Sequence, residues 1–147
     1  KIDPLKKNVE RFNNYFYGFI LVMMLFFFYL HLLTIAWSLG LRFSIIKLLA
    51  PAFGVLFYTA GVLISKSKRN WFIGIKTPWT LSNENVWDKT HAIGGRLFFL
   101  CAVLAVVGVL FPDYAIFFVM VPVLASAVFL IWYSYFLYKK ETGKKRK

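Results

Sequence analysis

The stretch that decides the fold is the apolar run at residues 15–38, which reads YFYGFILVMMLFFFYLHLLTIAWS. It lies in a window from Phe12 to Leu41 that contains no Lys, Arg, Asp or Glu, and its one histidine is His31. About 20 apolar residues in a helix cross the hydrocarbon of a bilayer. The run is also far longer than the central region of a signal peptide. It therefore predicts a first membrane-spanning helix.

The composition of the whole chain points the same way. Of its 147 residues, 60% are apolar and 20% are aromatic, whereas a soluble domain has about 45–50% apolar residues. The 24 charged residues cluster, because 21 of them fall in residues 1–11, 66–96 and 139–147. These patterns exclude a soluble enzyme and a secreted disulfide scaffold. The lone cysteine, Cys101, has no second thiol for a disulfide or a metal pair, so we expect no metal site and no cofactor.

Three further spans are predicted, at residues 45–65, 97–111 and 114–138. The second contains Pro51, Gly54 and Gly61, which suits a kinked helix packed closely on a neighbour. Pro112 and Asp113 form a polar turn, so the last two spans should make a helical hairpin. The sequence predicts an all-α, polytopic membrane protein with four transmembrane helices, in which residues 1–147 form a single membrane domain.

The basic residues predict the orientation. Segments 1–11, 66–96 and 139–147 carry 4, 6 and 6 Lys or Arg residues, whereas the other ends of the spans carry only Arg42 and Lys47. Basic residues near span ends are retained in the cytoplasm. We therefore expect both termini and the 66–96 loop inside, and the connections near Gly40 and Pro112 outside. The net charge of +12 then indicates contact with anionic membrane lipids rather than direct binding of nucleic acid.

The spans offer little catalytic chemistry. None contains Asp or Glu, which argues against carboxylate proton relays and intramembrane aspartyl proteolysis. His31 lies roughly 24 Å along the first helix from Tyr15, toward the outer side. It is either a neutral imidazole bonded to its surroundings or a group that contacts a ligand or senses pH. His91 lies at the opposite face of the bilayer. Its neighbour Thr90 would point in another direction on a helix, so it is not placed to act as a nucleophile beside the imidazole. We predict no catalytic residue and no enzyme activity.

The 66–96 loop is long, and its residues 70–81, NWFIGIKTPWTL, are too apolar for a disordered linker. We expect an ordered loop on the membrane surface or under the helix ends. Trp71, Trp79 and Trp87 suit the interfacial belt, where an indole buries its ring and keeps its N–H in water.

Residues 82–91, SNENVWDKTH, predict a short amphipathic helix capped by Ser82 or Asn83. Trp87 and His91 lie four residues apart and share a face. That face either packs against the helix bundle or recognises a peptide.

The end of the loop holds two adjacent glycines, Gly94 and Gly95. They predict a tight re-entry into the third span, with the side chain of Arg96 reaching back to the interface.

The loop also carries a long ordered string of uncommon residues: Asn70, Phe72 to Ile75, Thr77 to Ser82, Val86, Trp87, Lys89 to His91, Gly94 and Gly95. This string resembles the signature of the SdpI immunity-protein family, and the likeness extends over the second and third spans. Asp3, Pro4, Asn8 and Phe12 resemble the segment before the next helix in longer members. Those members carry a further two-helix module at the N-terminal side. Here Lys76 stands where the family usually has Arg, and Ala92 where a basic residue is common.

The resemblance implies a bacterial plasma-membrane protein that protects against a secreted antimicrobial peptide and signals by recruiting a cytoplasmic transcriptional repressor. The predicted functional motif consists of Asn70, Gly74, Lys76, Thr77, Pro78, Trp79, Trp87 and His91, with Arg96 at the interface beside it. His31 is a separate candidate, a possible ligand contact on the outer side that follows from its position in the first span. Two alternatives stay open. One is a small membrane enzyme or lipid-headgroup-binding protein using Lys76, Lys89, His91 and Arg96. The other is a structural subunit of a membrane complex.

Overall fold

The computed structural model describes residue 8 and residues 10–144, and this part of the chain is helical, with no β-strand. The helices are α1 (Asn13–Ser38), α2 (Ile45–Lys66), the short α3 (Pro78–Ser82), α4 (Glu84–Val107) and α5 (Ala115–Lys144). Four of them are long and apolar enough to span a membrane. The predicted all-α fold with four transmembrane helices is therefore confirmed. The sequence features at Asp3, Pro4 and the extreme C-terminus lie outside the described residues.

Helix α4 is the centre of the bundle, because it packs against both α2 and α5. Helix α1 lies at the periphery and contacts α2, where the rings of Phe26 and Phe53 are 5.0 Å apart. Only 6% of the most apolar part of α1 is buried by the protein. The rest of its surface is left for lipid, which suits a helix that is apolar all round.

The contact between α2 and α4 is a backbone contact at two glycines. A Cβ atom added to Gly95 would lie 2.9 Å from the carbonyl oxygen of Gly61, and one added to Gly61 would lie 3.0 Å from that of Gly95. Small residues that let two helices approach closely are typical of membrane interfaces. The predicted close packing of the second span is thus present. The tight re-entry predicted at Gly94 and Gly95 is wrong, because both lie inside α4.

Helix α4 begins at Glu84 and not near Leu97, so the predicted short helix and third span are one continuous helix. Its N-cap is Asn83, whose side-chain oxygen accepts hydrogen bonds from the backbone N–H groups of Asn85 (2.9 Å) and Val86 (3.2 Å). Glu84 lies in the first turn, where it complements the positive end of the helix dipole. The short helix between the second and third spans is α3 instead, and the irregular loop shrinks to residues 67–77.

The connection between α4 and α5 consists of two 3₁₀ turns, Gly108–Leu110 and Pro112–Tyr114. It forms the tight turn predicted at Pro112 and Asp113. Helix α5 then runs past the predicted end at Tyr138 to Lys144. As a result, its C-terminal turns reach the same end of the bundle as the loop at residues 67–77.

Candidate functional site

The loop at residues 67–77 is folded around one side chain, that of Asn70, which is fully buried. Its Nδ2 donates to the carbonyl oxygens of Lys68 (2.7 Å) and Ile73 (3.0 Å). Its Oδ1 accepts from the backbone N–H groups of Phe72 (2.8 Å) and Ile73 (2.7 Å). One amide side chain therefore satisfies four backbone groups that have no helical partner.

Trp87 and His91 on α4 hold the loop against the helix. Both are buried, and their rings stack at 3.9 Å between centroids with 14° between planes. The indole N–H donates to the carbonyl oxygen of Ser67 (3.1 Å). His91 Nε2 accepts from the N–H of Ile75 (2.9 Å), and Nδ1 lies 2.8 Å from the carbonyl oxygen of Trp87. Because Nε2 must accept, Nδ1 carries the proton and the imidazole is neutral.

Gly74 is the point where the loop touches this ring pair. Its φ angle is +120°, in a region that side chains with a Cβ rarely adopt. A Cβ atom there would also collide with His91 Nε2 and lie 3.1 Å from Trp87 Cζ2. Only glycine therefore fits the backbone conformation and the contact together.

The loop ends in a reciprocal cap on α3. The hydroxyl of Thr77 accepts from the N–H of Thr80 (3.2 Å), and the hydroxyl of Thr80 accepts from the N–H of Thr77 (2.9 Å). Pro78 occupies the first helical position, where its missing N–H costs nothing. The Thr77 hydroxyl also hydrogen-bonds the buried hydroxyl of Ser134 on α5 (3.1 Å). This bond ties the loop to the last helix.

Charged and aromatic contacts surround the loop at its exposed edge. Lys89 forms an ion pair with Glu141 (2.8 Å), and Lys68 forms one with Asp88 (3.4 Å). Such exposed pairs contribute little to stability, about 0–1 kcal/mol. The half-buried ring of Trp79 packs on Tyr135 of α5 at 5.1 Å.

The predicted motif residues divide into three groups. Asn70, Gly74, Thr77, Pro78, Trp87 and His91 form one connected network, which we call the loop lock. Lys76 and Trp79 lie at its edge, and Arg96 is exposed further along α4. The interfacial position predicted for Trp87 is wrong, because α4 carries the indole inward; Trp71 is exposed as expected.

His31 lies far from the loop lock along α1, and its side chain is exposed. Within the described part of the chain its imidazole makes no hydrogen bond to another helix. Its proposed ligand contact stays a prediction.

Three residues that hydrogen-bond to the loop lock were not among the predicted motif residues: Ser67, Thr80 and Ser134. Thr80 had a signal, since it stands three residues after Thr77 in the spacing of a reciprocal cap. Ser67 and Ser134 had none, because Ser67 takes part through its backbone carbonyl and Ser134 comes from a distant helix.

The chemistry of the loop lock is structural. Both ring nitrogens of His91 are engaged, so the imidazole has no free lone pair with which to activate a nucleophile. In residues 8 and 10–144, no group of three or more His, Cys, Asp or Glu side chains is placed to hold a metal ion. The arrangement can fix the ends of α2, α4 and α5 relative to one another.

The amino-acid sequence is similar to a known protein family in the segment that contains the loop. A model of the SdpI/YfhL protein family matches residues 66–134. The chain is also similar to the immunity protein SdpI of Bacillus subtilis (strain 168), with 29% identity over 124 residues, which cover 84% of this chain and 60% of that protein. The chain therefore spans less than two thirds of the length of this relative. No solved structure matches significantly. The predicted resemblance to the SdpI family is confirmed, and the chain is a multi-pass membrane protein.

Proposed function

We propose, on this confirmed resemblance to the SdpI family, that the chain is a non-enzymatic immunity protein of the bacterial plasma membrane that senses a secreted antimicrobial peptide. The observation that carries the proposal is where the family match falls. It begins at Lys66, the last residue of α2 before the loop, and ends at Ser134, whose hydroxyl hydrogen-bonds that of Thr77. The matched segment thus contains the whole loop lock, helices α3 and α4, and α5 as far as Ser134.

The excess of Lys and Arg residues at one end of the spans supports an orientation with the loop lock and both termini in the cytoplasm. A toxin that arrives from outside then meets the opposite ends of the helices first. We propose that the loop lock stabilises one of two arrangements of these helices. An outer ligand shifts the balance only if it binds the two arrangements with different affinity. The altered inner face is then available to a cytoplasmic repressor, as the family resemblance implies.

An apolar groove between α2 and α4 supports contact with a hydrophobic peptide. It has a volume of about 510 Å³ and lies between Pro51 to Tyr58 on one side and Phe99 to Val107 on the other. This is the half of the bundle that is outermost in the proposed orientation. The exposed side chains of Val55 and Val103 lie in the groove. A peptide bound there would bridge α2 and α4, the two helices that flank the loop.

The test is survival of cells under toxin, measured beside the abundance of each variant in the membrane. We expect Trp87→Ala, in the loop lock, and Val55→Trp, which fills the groove, to lose protection at normal abundance. Val128→Trp is the matched control, since Val128 is exposed on α5, outside the groove. Full protection by both test variants would contradict the proposal.

One alternative, a lipid-headgroup site formed by Lys76, Lys89, His91 and Arg96 together, loses support. Lys89 is paired with Glu141, and His91 is buried in the loop lock, so neither is available to a phosphate. A structural-subunit role remains distinguishable, because it predicts a stoichiometric partner that copurifies in mild detergent.

A further inference from the structure

A second pocket lies directly beneath the loop, on the side of the loop that faces away from the solvent. Its volume is about 480 Å³, within the range of about 300–1,000 Å³ for small-molecule sites. Its walls are apolar side chains from all four long helices, including Phe19, Ala60, Phe98 and Leu130. The backbone from Ile73 to Thr77 forms its rim. The pocket therefore opens at the level where the helices end and the loop begins.

The rim carries a positive charge, that of Lys76. Lys76 lines the pocket, and its ammonium group lies 3.3 Å from the carbonyl oxygen of Trp71. The two ion pairs found in the described part of the chain, Lys68 with Asp88 and Lys89 with Glu141, do not include it. An ammonium group with no acidic partner attracts anions at a membrane surface.

Two backbone donors lie beside this charge. The N–H groups of Gly74 and Lys76 donate to no atom in residues 8 and 10–144, whereas those of Ile75 and Thr77 are bound to His91 and Thr80. Free backbone N–H groups next to a cation make a good environment for phosphate oxygens. The pocket thus combines an apolar interior with a cationic rim that lies beside two backbone donors, both unpaired within the described residues.

We propose that this pocket binds an anionic phospholipid, with one acyl chain between the helices and the phosphate at Lys76. The apolar walls match the chain, and the charge of the rim matches the headgroup. A lipid can enter sideways, because the pocket lies among helices that the bilayer surrounds. In the proposed orientation the lipid comes from the cytoplasmic leaflet. The site does not depend on toxin recognition, so its test can fail while the immunity role stands.

The occupant would also act on the loop lock. Gly74 and Ile75 touch His91 on one side and line the pocket on the other. A chain in the pocket therefore supports the loop from below, and anionic lipid should raise the stability of the loop.

The experiment uses the full chain in phosphatidylcholine vesicles with a trace of lipid that carries a photoreactive acyl chain. The probe headgroup is either phosphatidylglycerol or phosphatidylcholine, and the crosslinked positions are read by mass spectrometry. We expect crosslinks at Phe98 and Leu130, several-fold more with the anionic probe. Lys76→Gln should reduce the crosslinking yield of the anionic probe to that of the neutral probe.

A second variant tests the interior of the pocket. Ala127→Phe fills it and should abolish these crosslinks with both probes. Lys140→Gln and Ala125→Phe are the matched controls, since both positions are exposed on α5 and lie outside the pocket. Equal crosslinking of the two probes to the wild-type protein would overturn the proposal. Anionic preference that survives Lys76→Gln would do the same, even if Ala127→Phe failed to fold.

Discussion

At the scale of single residues, the loop is specified by side chains that bond to backbone groups. Asn70 satisfies four such groups, His91 two and the Trp87 indole one. Buried N–H and C=O groups need partners. These side chains therefore supply the bonds that helices or sheets provide elsewhere, and the loop is ordered without regular secondary structure.

Gly74→Ala should destabilise the protein more than Gly40→Ala. Both glycines have positive φ angles, +120° and +94°, but only Gly74 is hemmed in by side chains; a Cβ at Gly40 meets nothing within 4 Å. The strained backbone alone costs about 1–2 kcal/mol, so Gly40→Ala measures that part. The collision with His91 adds to it at Gly74. Thermal unfolding in detergent compares the two, and equal losses would show that the contact has no effect.

His91→Phe should cost about 1–3 kcal/mol of stability, because it leaves the N–H of Ile75 without its acceptor. A phenyl ring still stacks on Trp87, so the loss reports the hydrogen bonds. His31→Phe is the control, and as an exposed change it should stay within about 0.5 kcal/mol. Unfolding midpoints in the same detergent give the comparison. An unchanged unfolding midpoint for His91→Phe would show that the hydrogen bonds of the imidazole do not stabilise the loop lock.

At the scale of elements, the four spans were predictable, whereas the start of α4, the end of α5 and the short helix α3 were not. The apolar runs identified four spans, but Glu84, Asp88 and Lys89 made the start of α4 look like a separate short helix outside the membrane. The helix has 24 residues, or about 36 Å, against about 30 Å of hydrocarbon. Its first turns therefore extend beyond the hydrocarbon, where charge is tolerated. Charge marked the edge of the membrane and not the end of the helix.

The candidate site was predictable in its residue types but not in its connections. The string from Asn70 to His91 was recognisable, and the shared face of Trp87 and His91 followed from their spacing. The bond between Thr77 and Ser134 was not, since 57 residues separate the two. Long-range pairs of small polar side chains leave no periodic signal in a sequence.

Gly95→Leu should push α2 and α4 apart, because a side chain there meets Ser65 and the backbone of Gly61. Overpacking of this kind costs about 1–3 kcal/mol or more. Gly18→Leu, on the lipid-facing part of α1, meets nothing within 4 Å and serves as the control. The measurement is crosslinking between cysteines introduced at Val55 and Val103, which line the same groove. Crosslinking that Gly95→Leu leaves unchanged would contradict the backbone contact.

At the scale of the whole molecule, the charge distribution and the fold agree on one polar end. The loop, the start of α4 and the end of α5 lie together there, joined by Lys89 and Glu141. Residues 66–96 and 139–147, which include these segments, carry 12 of the 18 Lys and Arg residues. At the opposite end, residues 8 and 10–144 contribute the short connections near Gly40 and Pro112.

The orientation predicts which end an impermeant thiol reagent reaches. In a Cys101→Ser background, a cysteine at Gly40 should be labelled in intact cells. A cysteine at Lys140 should react only after the membrane is permeabilised. Both positions are exposed, so access to the reagent is set by the membrane. Labelling of Lys140→Cys in intact cells would reverse the proposed topology.

The bond between Thr77 and Ser134 also has a consequence for biosynthesis. The ribosome makes Thr77 57 residues before its partner, which at about 5–20 residues per second is a delay of about 3–11 s. During that time the loop can already fold on Asn70, Trp87 and His91, but nothing fastens it to the final helix. A newly made chain is therefore most vulnerable to quality-control proteases in this interval, and a nascent chain that ends before Ser134 should be degraded faster than one that ends just after it.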